Sequence, residues 1–205
     1  MIAIILDTET TGLPKKRNQS IKDDDNWPNI VQMAWILFDM SSNELLGYKN
    51  FIIKLRDGKK IPQESIDIHK ITNKIMNERG QDITVIFEKF FEDFDRASYV
   101  VAHNLEFDWQ IISVELYRNK IYNRIDLTKQ KKIRYCTMRS AKNMYRVRDK
   151  NGKLTHKYPK LKDLYKLLYP DEEIDDFHNA MVDTYVCFRC FYKMIIGKDS
   201  LKIDI

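Results

Sequence analysis

Near its start the chain runs five apolar residues, Ile2-Ala3-Ile4-Ile5-Leu6, straight into Asp7-Thr8-Glu9-Thr10-Thr11-Gly12-Leu13. A short, β-branched apolar run closed by turn-forming residues predicts a buried strand. Side chains two apart on a strand face the same way. Asp7 and Glu9 are therefore expected side by side at the carboxyl end of a core strand. Two carboxylates held that close repel each other unless a cation lies between them. Hard divalent ions such as Mg²⁺ take oxygen ligands, usually a few carboxylates together with substrate phosphate. A metal site is the simplest arrangement that makes this strand end tolerable.

Two later segments supply matching chemistry. The apolar run Ser98–Ala102 leads into His103-Asn104-Leu105-Glu106-Phe107-Asp108. Asn104 is placed to cap a helix whose apolar positions include Phe107, Ile111, Val114 and Leu116. Asp108 then falls in its first turns. Far downstream, Asp176-Phe177-His178-Asn179-Ala180-Met181-Val182-Asp183 opens another apolar helix. His178 stands near its start, with Asp183 about one turn further in.

Asp7, Glu9, Asp108 and Asp183, with His178, occur in an order that resembles the DnaQ-like 3′→5′ exonucleases with four acids and a histidine, often written DEDDh. The matching blocks are Asp-Thr-Glu-Thr-Thr-Gly-Leu, His-Asn-x-x-Phe-Asp and His-x-Ala-x-x-Asp. The stretches Ile61–Thr72 and Pro159–Leu164 also look like the family's connecting segments. The resemblance runs from Ile2 to about Met194. It implies a ribonuclease H-like α/β fold, a mixed five-stranded sheet flanked by helices, as a single domain over 1–205. It implies hydrolysis of phosphodiester bonds from the 3′ end with two divalent ions, Mg²⁺ or Mn²⁺. By similarity, Asp7 bridges the ions, Glu9 and Asp183 complete one site, and Asp108 holds the other. His178 is the implied general base, a task suited to a side chain that changes charge near neutral pH. The residues matching the family's nucleotide-binding positions are Thr10, Thr11, Leu13, Asn104 and Phe107, with Leu13 an apolar surface for a base. His69 matches a histidine that approaches substrate.

The net charge of +5 hides an asymmetry. Between Lys129 and Lys162 stand thirteen Lys or Arg and one acid, Asp149; that window is +12, so everything else carries −7. Tyr135, Tyr145 and Tyr158 are interleaved with the cations. Phosphate backbones attract such stretches, and the density of cations favours that reading over a lysine-rich solvated surface. Arg146–Pro159, with a turn at Asp149-Lys150-Asn151-Gly152, predicts a basic hairpin. Lys15–Pro28, containing three consecutive Asp, reads as an exposed insertion.

The length suits one sizeable core. No apolar run reaches bilayer length, and no secretory leader is expected. Three cysteines, Cys136, Cys187 and Cys190, argue against a disulfide framework and for a reducing, cytoplasmic setting, or a nuclear one in a eukaryote. Cys187 and Cys190 are expected on a core helix face rather than on zinc. Strands are predicted at Ile2–Leu6, Ile30–Phe38, Leu45–Leu55, Tyr99–Ala102 and Ile133–Cys136. Helices are predicted at Glu64–His69, Thr84–Asp95, Leu105–Lys120, Thr137–Asn143, Lys162–Tyr169 and Ala180–Ile196. DNA, single-stranded or frayed, is the favoured substrate, because the threonines after Glu9 look closer to proofreading relatives. An RNA exonuclease is the alternative, and a non-catalytic polymerase-accessory module a third reading. A polymerase partner stays open; the short stretch after Ile196 leaves little room for a tail that grips one.

Overall fold

The computed structural model describes residues 1–16, 19–125, 131–175 and 177–197; Lys129 and Asp176, named above, lie outside them. The apolar run opens strand β1, Ile2–Thr10, which continues through the acids rather than stopping at Leu6. It is followed by β2 (Ile30–Asp39) and β3 (Glu44–Ile52), then β4 (Tyr99–Ala102) and β5 (Ile133–Cys136). They form one sheet in the order β3-β2-β1-β4-β5. β1 and β2 are antiparallel, as are β2 and β3, whereas β4 lies parallel to β1 and to β5. The sheet is thus mixed and five-stranded, with the acid-bearing strand at its centre.

The helices are α1 (Gln63–His69), α2 (Asn73–Arg79), α3 (Ile83–Arg96), α4 (Leu105–Arg118), α5 (Thr137–Ser140), α6 (Leu161–Leu168) and α7 (Ala180–Ile196). Alternation along β1 sends Ile4 and Leu6 to one face, into a core with Met33, Trp35, Phe87, Phe90, Phe94 and Ile112 from β2, α3 and α4. Ala3 and Ile5 face the other way, against Ala34, Ile36, Phe38 and the α7 residues Phe188 and Phe191. A strand covered on both faces must be apolar along its length, and β2 is buried at nine consecutive positions. Cys187 and Cys190 are free and buried in the α7 contacts with the sheet and with α6, as a core face requires. No helix among the described residues is long and apolar enough to cross a membrane.

Three expectations need correction. The short helix α2 went unpredicted. Seven residues show too little periodicity, although Thr72 caps it by accepting from the Ile75 N–H at 3.1 Å. Asn104 occupies the N-cap position of α4 but makes no capping bond with its side chain; it sits at φ 68°, ψ 43°. Asparagine tolerates that left-handed conformation better than most residues, so the residue turns the chain into the helix instead of capping it. The loop ending at Pro28 is not a loose insertion. Asn26, Trp27 and Pro28 are buried, and Arg118 gathers the loop from the end of α4. It donates to the carbonyls of Pro28 (2.7 Å) and Trp27 (2.7 Å) and pairs with Asp24 and with Glu115 (2.7 Å). One of the three consecutive acids therefore has a guanidinium partner.

Candidate active site

The odd-numbered face of β1 that holds Ala3 and Ile5 continues through Asp7 and Glu9, so both carboxylates point toward α7. Pairing with β2 shifts register between Glu9 and Thr10, and such a bulge ends a strand cleanly beside a site. Asp183 lies in the first turn of α7. That helix is seated by Gln32, the β2 residue directly across from Glu9. The Gln32 carboxamide accepts from the Ala180 N–H at 3.0 Å and donates to Asn179 Oδ1 at 3.2 Å, while Asn179 caps the helix through the Met181 N–H. Asp108, 2% exposed, comes from the first turn of α4. Thr8, on the opposite face of β1 from Asp7, donates its hydroxyl to Asp108 Oδ1 at 2.8 Å. Neither Gln32 nor Thr8 was singled out from sequence. For Thr8 the signal was available: alternation places it toward the helix that carries Asp108.

The four carboxylates lie close enough to feel one another's charge. Burial, then Asp108, Asp183 and Glu9, pushes the Asp7 carboxyl well above its usual range. Burial followed by Asp183 and Asp108 raises Glu9 to about 8. Asp108 rises to about 7, mainly through burial, against the lowering effect of the Thr8 hydroxyl. Asp183 rises to about 6 by burial, partly offset by the His178 N–H that donates to its Oδ2 at 3.2 Å. Among the described residues no Lys or Arg pairs with any of the four. Asp183 Oδ1 is buried with no hydrogen-bond partner at all. Buried charges are ordinarily paired or bound to metal, and an all-oxygen donor set suits Mg²⁺ or Mn²⁺. The residues fit a divalent cation.

His178 stands exposed two residues before α7, at φ 72°. One ring nitrogen lies within 4.8 Å of carboxylate oxygens of both Glu9 and Asp183. Its unusual backbone places the imidazole at the mouth of the acid cluster; such conformations gather at functional sites. His69 is nearby and 5% exposed. Its Nδ1 accepts from the Ile71 N–H at 3.1 Å, which puts the proton on Nε2, and Nε2 is buried without an acceptor. Burial, together with the proximity of His178, lowers its pKa.

Leu13, Asn104 and Phe107 line one cleft of about 680 Å³, together with Trp27, Gln110 and Arg139. Leu13 is 80% exposed there, an apolar surface open to solvent. Thr10 and Thr11 serve the turn that presents it. The Thr10 hydroxyl donates to the Gly12 carbonyl at 2.6 Å, and Thr11 Oγ1 accepts from the Asn29 N–H at 2.9 Å. Gly12 sits at φ 141°, where any Cβ is strained. The predicted nucleotide residues thus divide into cleft wall, turn brace and, in His69, a separate donor beside His178.

A model of the exonuclease family (RNase_T) matches residues 4–191. Over 211 aligned residues the chain is 26% identical to the DNA polymerase III subunit epsilon of Buchnera aphidicola subsp. Acyrthosiphon pisum, covering 98% of this chain and 76% of that one. Exonuclease I of E. coli in complex with a dA16 oligonucleotide superposes with a TM-score of 0.70 at 16% identity, over 94% of this chain. The zinc-bound E. coli enzyme with single-stranded DNA gives 0.70 at 19% over 96%, and exonuclease I of Methylocaldum szegediense 0.68 at 18% over 96%. The chain spans only 41% of each of these structures, and at such identities they speak to the fold alone. The family match over nearly the whole chain, on a sheet and an ordered set of acids of the expected kind, is decisive: the chain belongs to the exonuclease family, as a DnaQ-like 3′→5′ exonuclease of the DEDDh type.

Proposed function

We propose that this exonuclease removes nucleotides from the 3′ end of DNA, single-stranded or frayed, with two divalent cations, Mg²⁺ or Mn²⁺, held by Asp7, Glu9, Asp108 and Asp183. The observation that carries the metal reading is the buried, partnerless Asp183 Oδ1 inside a cluster of four acids without a basic partner among the described residues. Asp7, which feels the charge of the other three, would be held in common by the two ions, with Glu9 and Asp183 completing one site and Asp108 the other. When bound, such ions supply positive charge to the attacking and leaving oxygens of an in-line displacement.

The chain's own groups do the rest. His178, at the mouth of the cluster, takes the proton of the attacking water on a ring nitrogen. The water oxygen forms the new bond to phosphorus as the bond to the 3′-oxygen breaks, releasing a nucleoside 5′-monophosphate and a shortened strand. The leaving oxygen takes its proton from solvent. Leu13 and Phe107 hold the terminal base in the cleft, Asn104 lines the same wall, and Thr10 and Thr11 fix the turn behind Leu13. The free Nε2–H of His69 donates to the substrate.

DNA is preferred on two grounds: the likeness to a DNA polymerase III subunit, and the resemblance of the Thr10-Thr11 wording to proofreading relatives. The same likeness makes a polymerase an expected partner. Three free thiols fit a reducing, cytoplasmic setting. The test is a pair of 5′-labelled 20-mers, one DNA and one RNA, each incubated with Mg²⁺ or with EDTA. The expected result is stepwise shortening from the 3′ end with Mg²⁺ only, faster on DNA. Faster shortening of RNA would replace the substrate, since a pocket that admits the 2′-hydroxyl reads the sugar differently. Binding without shortening would favour an accessory module.

A further inference from the structure

The basic stretch is not one surface in space. Lys132 donates to the carbonyls of Phe94 and Ala97, each at 2.6 Å, and so closes the end of α3. Arg134 lies over the Trp109 ring, and Arg139 sits 4.0 Å from Glu106. What projects freely is the hairpin of β6 (Arg146–Arg148) and β7 (Leu154–His156), a two-stranded unit separate from the main sheet. Its register pairs Arg146 with His156 and Arg148 with Leu154, flanking Val147 with Thr155. Arg146, Arg148, Leu154 and His156 are all exposed, while Val147 and Thr155 on the other face are half-buried.

The one acid of the hairpin is spent on its own turn. Asp149 Oδ1 accepts from the Asn151 N–H at 2.8 Å and the Lys153 N–H at 3.0 Å, and Gly152 completes the turn at φ 77°. Among the described residues no carboxylate pairs with Arg146, Lys150, Lys153 or Lys157. Soluble surfaces ordinarily intersperse both signs, and the rest of this chain is acidic. An unneutralised cationic ribbon on such a chain calls for an anionic occupant.

The base of the hairpin is tied to the active site. The Pro159 carbonyl accepts from His103 Nε2 at 3.1 Å, and the His103 Nδ1 then accepts from Thr137 Oγ1 at 2.9 Å. His103 directly precedes Asn104 of the cleft. On the far side, Lys162 of α6 lies over the ring of Phe177, next to His178. The root of the ribbon therefore lies between the second and third motifs, against the residue that precedes Asn104 of the cleft.

We propose that this hairpin is a phosphate-tracking arm that holds the substrate strand upstream of the scissile bond, on the 5′ side of the nucleotides in the cleft. Arg146 and Arg148 stand two strand positions apart, roughly 6.7 Å, so they address successive phosphates of an extended strand. Lys150 and Lys153 extend the grip at the tip. This assignment rests on the exonuclease reading and adds to it the determinant of substrate length.

The test uses the full chain and two substrates: the nitrophenyl ester of thymidine 5′-monophosphate, which fills the cleft alone, and a 5′-labelled single-stranded 20-mer. Wild type is compared with Arg146→Ser/Arg148→Ser/Lys153→Ser and with the charge-keeping Arg146→Lys/Arg148→Lys. At about 0.1 M salt the serine variant is expected to raise KM for the 20-mer roughly tenfold or more, and to flatten its salt dependence by about 0.7 for each phosphate it no longer neutralises. Its kcat and its turnover of the ester stay at the wild-type level, and the lysine variant retains most of the long-strand affinity. An unchanged KM and salt slope on the 20-mer, with the ester turned over normally, would overturn the arm while leaving the exonuclease intact. Failure of the folded wild type on both substrates would instead remove the exonuclease reading itself.

Discussion

Replacing Asp7 with Asn is expected to lower turnover by at least about 10³-fold and, in the same protein, to raise the thermal midpoint of the metal-free form. The first effect follows from position. Asp7 is the carboxylate that feels the charge of all three others. If Asp7 bridges the ions as proposed, its loss forfeits metal stabilisation of several kcal/mol, and each 1.36 kcal/mol is a factor of ten in rate. The second effect has the opposite sign for the same reason. In the unfolded chain these carboxyls ionise near 3.9 for Asp and 4.3 for Glu. In the fold all four are raised, Asp183 to about 6, Asp108 to about 7 and Glu9 to about 8. The folded form therefore keeps protons that the unfolded chain has given up, so stability without metal falls as pH climbs from roughly 4 to 8. Asn at position 7 removes one charge from that cluster. Each ~1 kcal/mol of relief is worth about 2–4 °C for a chain of this size. Differential scanning calorimetry in EDTA at pH 5 and pH 8, beside the oligonucleotide assay, checks both signs. An Asn variant that stays active, or one that melts lower at pH 8, contradicts the account of the cluster.

His178→Asn is expected to cost about 10²–10⁴-fold in kcat. Asn is the suitable replacement because it keeps the left-handed backbone that His178 adopts, so a fall in activity does not report a failure to fold. A general base must be neutral to accept a proton. Mn²⁺ affinity separates this role from the other one its position allows. The imidazole is near enough to Glu9 and Asp183 to be a ligand. A base leaves metal affinity unchanged when replaced; a ligand lowers it.

Much of this site was legible because its signals are local. The run Ile2–Leu6 fixes β1, period-two alternation fixes the shared face of Asp7 and Glu9, and β4, β5 and α7 fall at the predicted bounds. Motif order then brings Asp108 and Asp183 to the same strand end. What stayed hidden depends on partners far along the chain. The burial of Trp27 is decided by Arg118, about ninety residues later. The seat of α7 is decided by Gln32, 148 residues before Ala180. Asn104 carries both cap and left-handed preferences, and only the surrounding fold selects between them. The basic stretch read as one stripe because sequence shows charge density. It does not show that Lys132 is consumed at the end of a helix while Arg146 and Arg148 stand exposed on a ribbon, Arg148 donating to the Gly152 carbonyl of its own turn at 2.9 Å.

The most direct measurement is a Mn²⁺ titration of the metal-stripped protein in the presence of a nucleoside 5′-monophosphate, with free Mn²⁺ followed by electron paramagnetic resonance. Two bound ions per chain, reduced to one or none by Asp7→Asn, is the predicted result. A folded wild-type chain that leaves all added Mn²⁺ free in solution would contradict the claim that these four carboxylates form a metal centre.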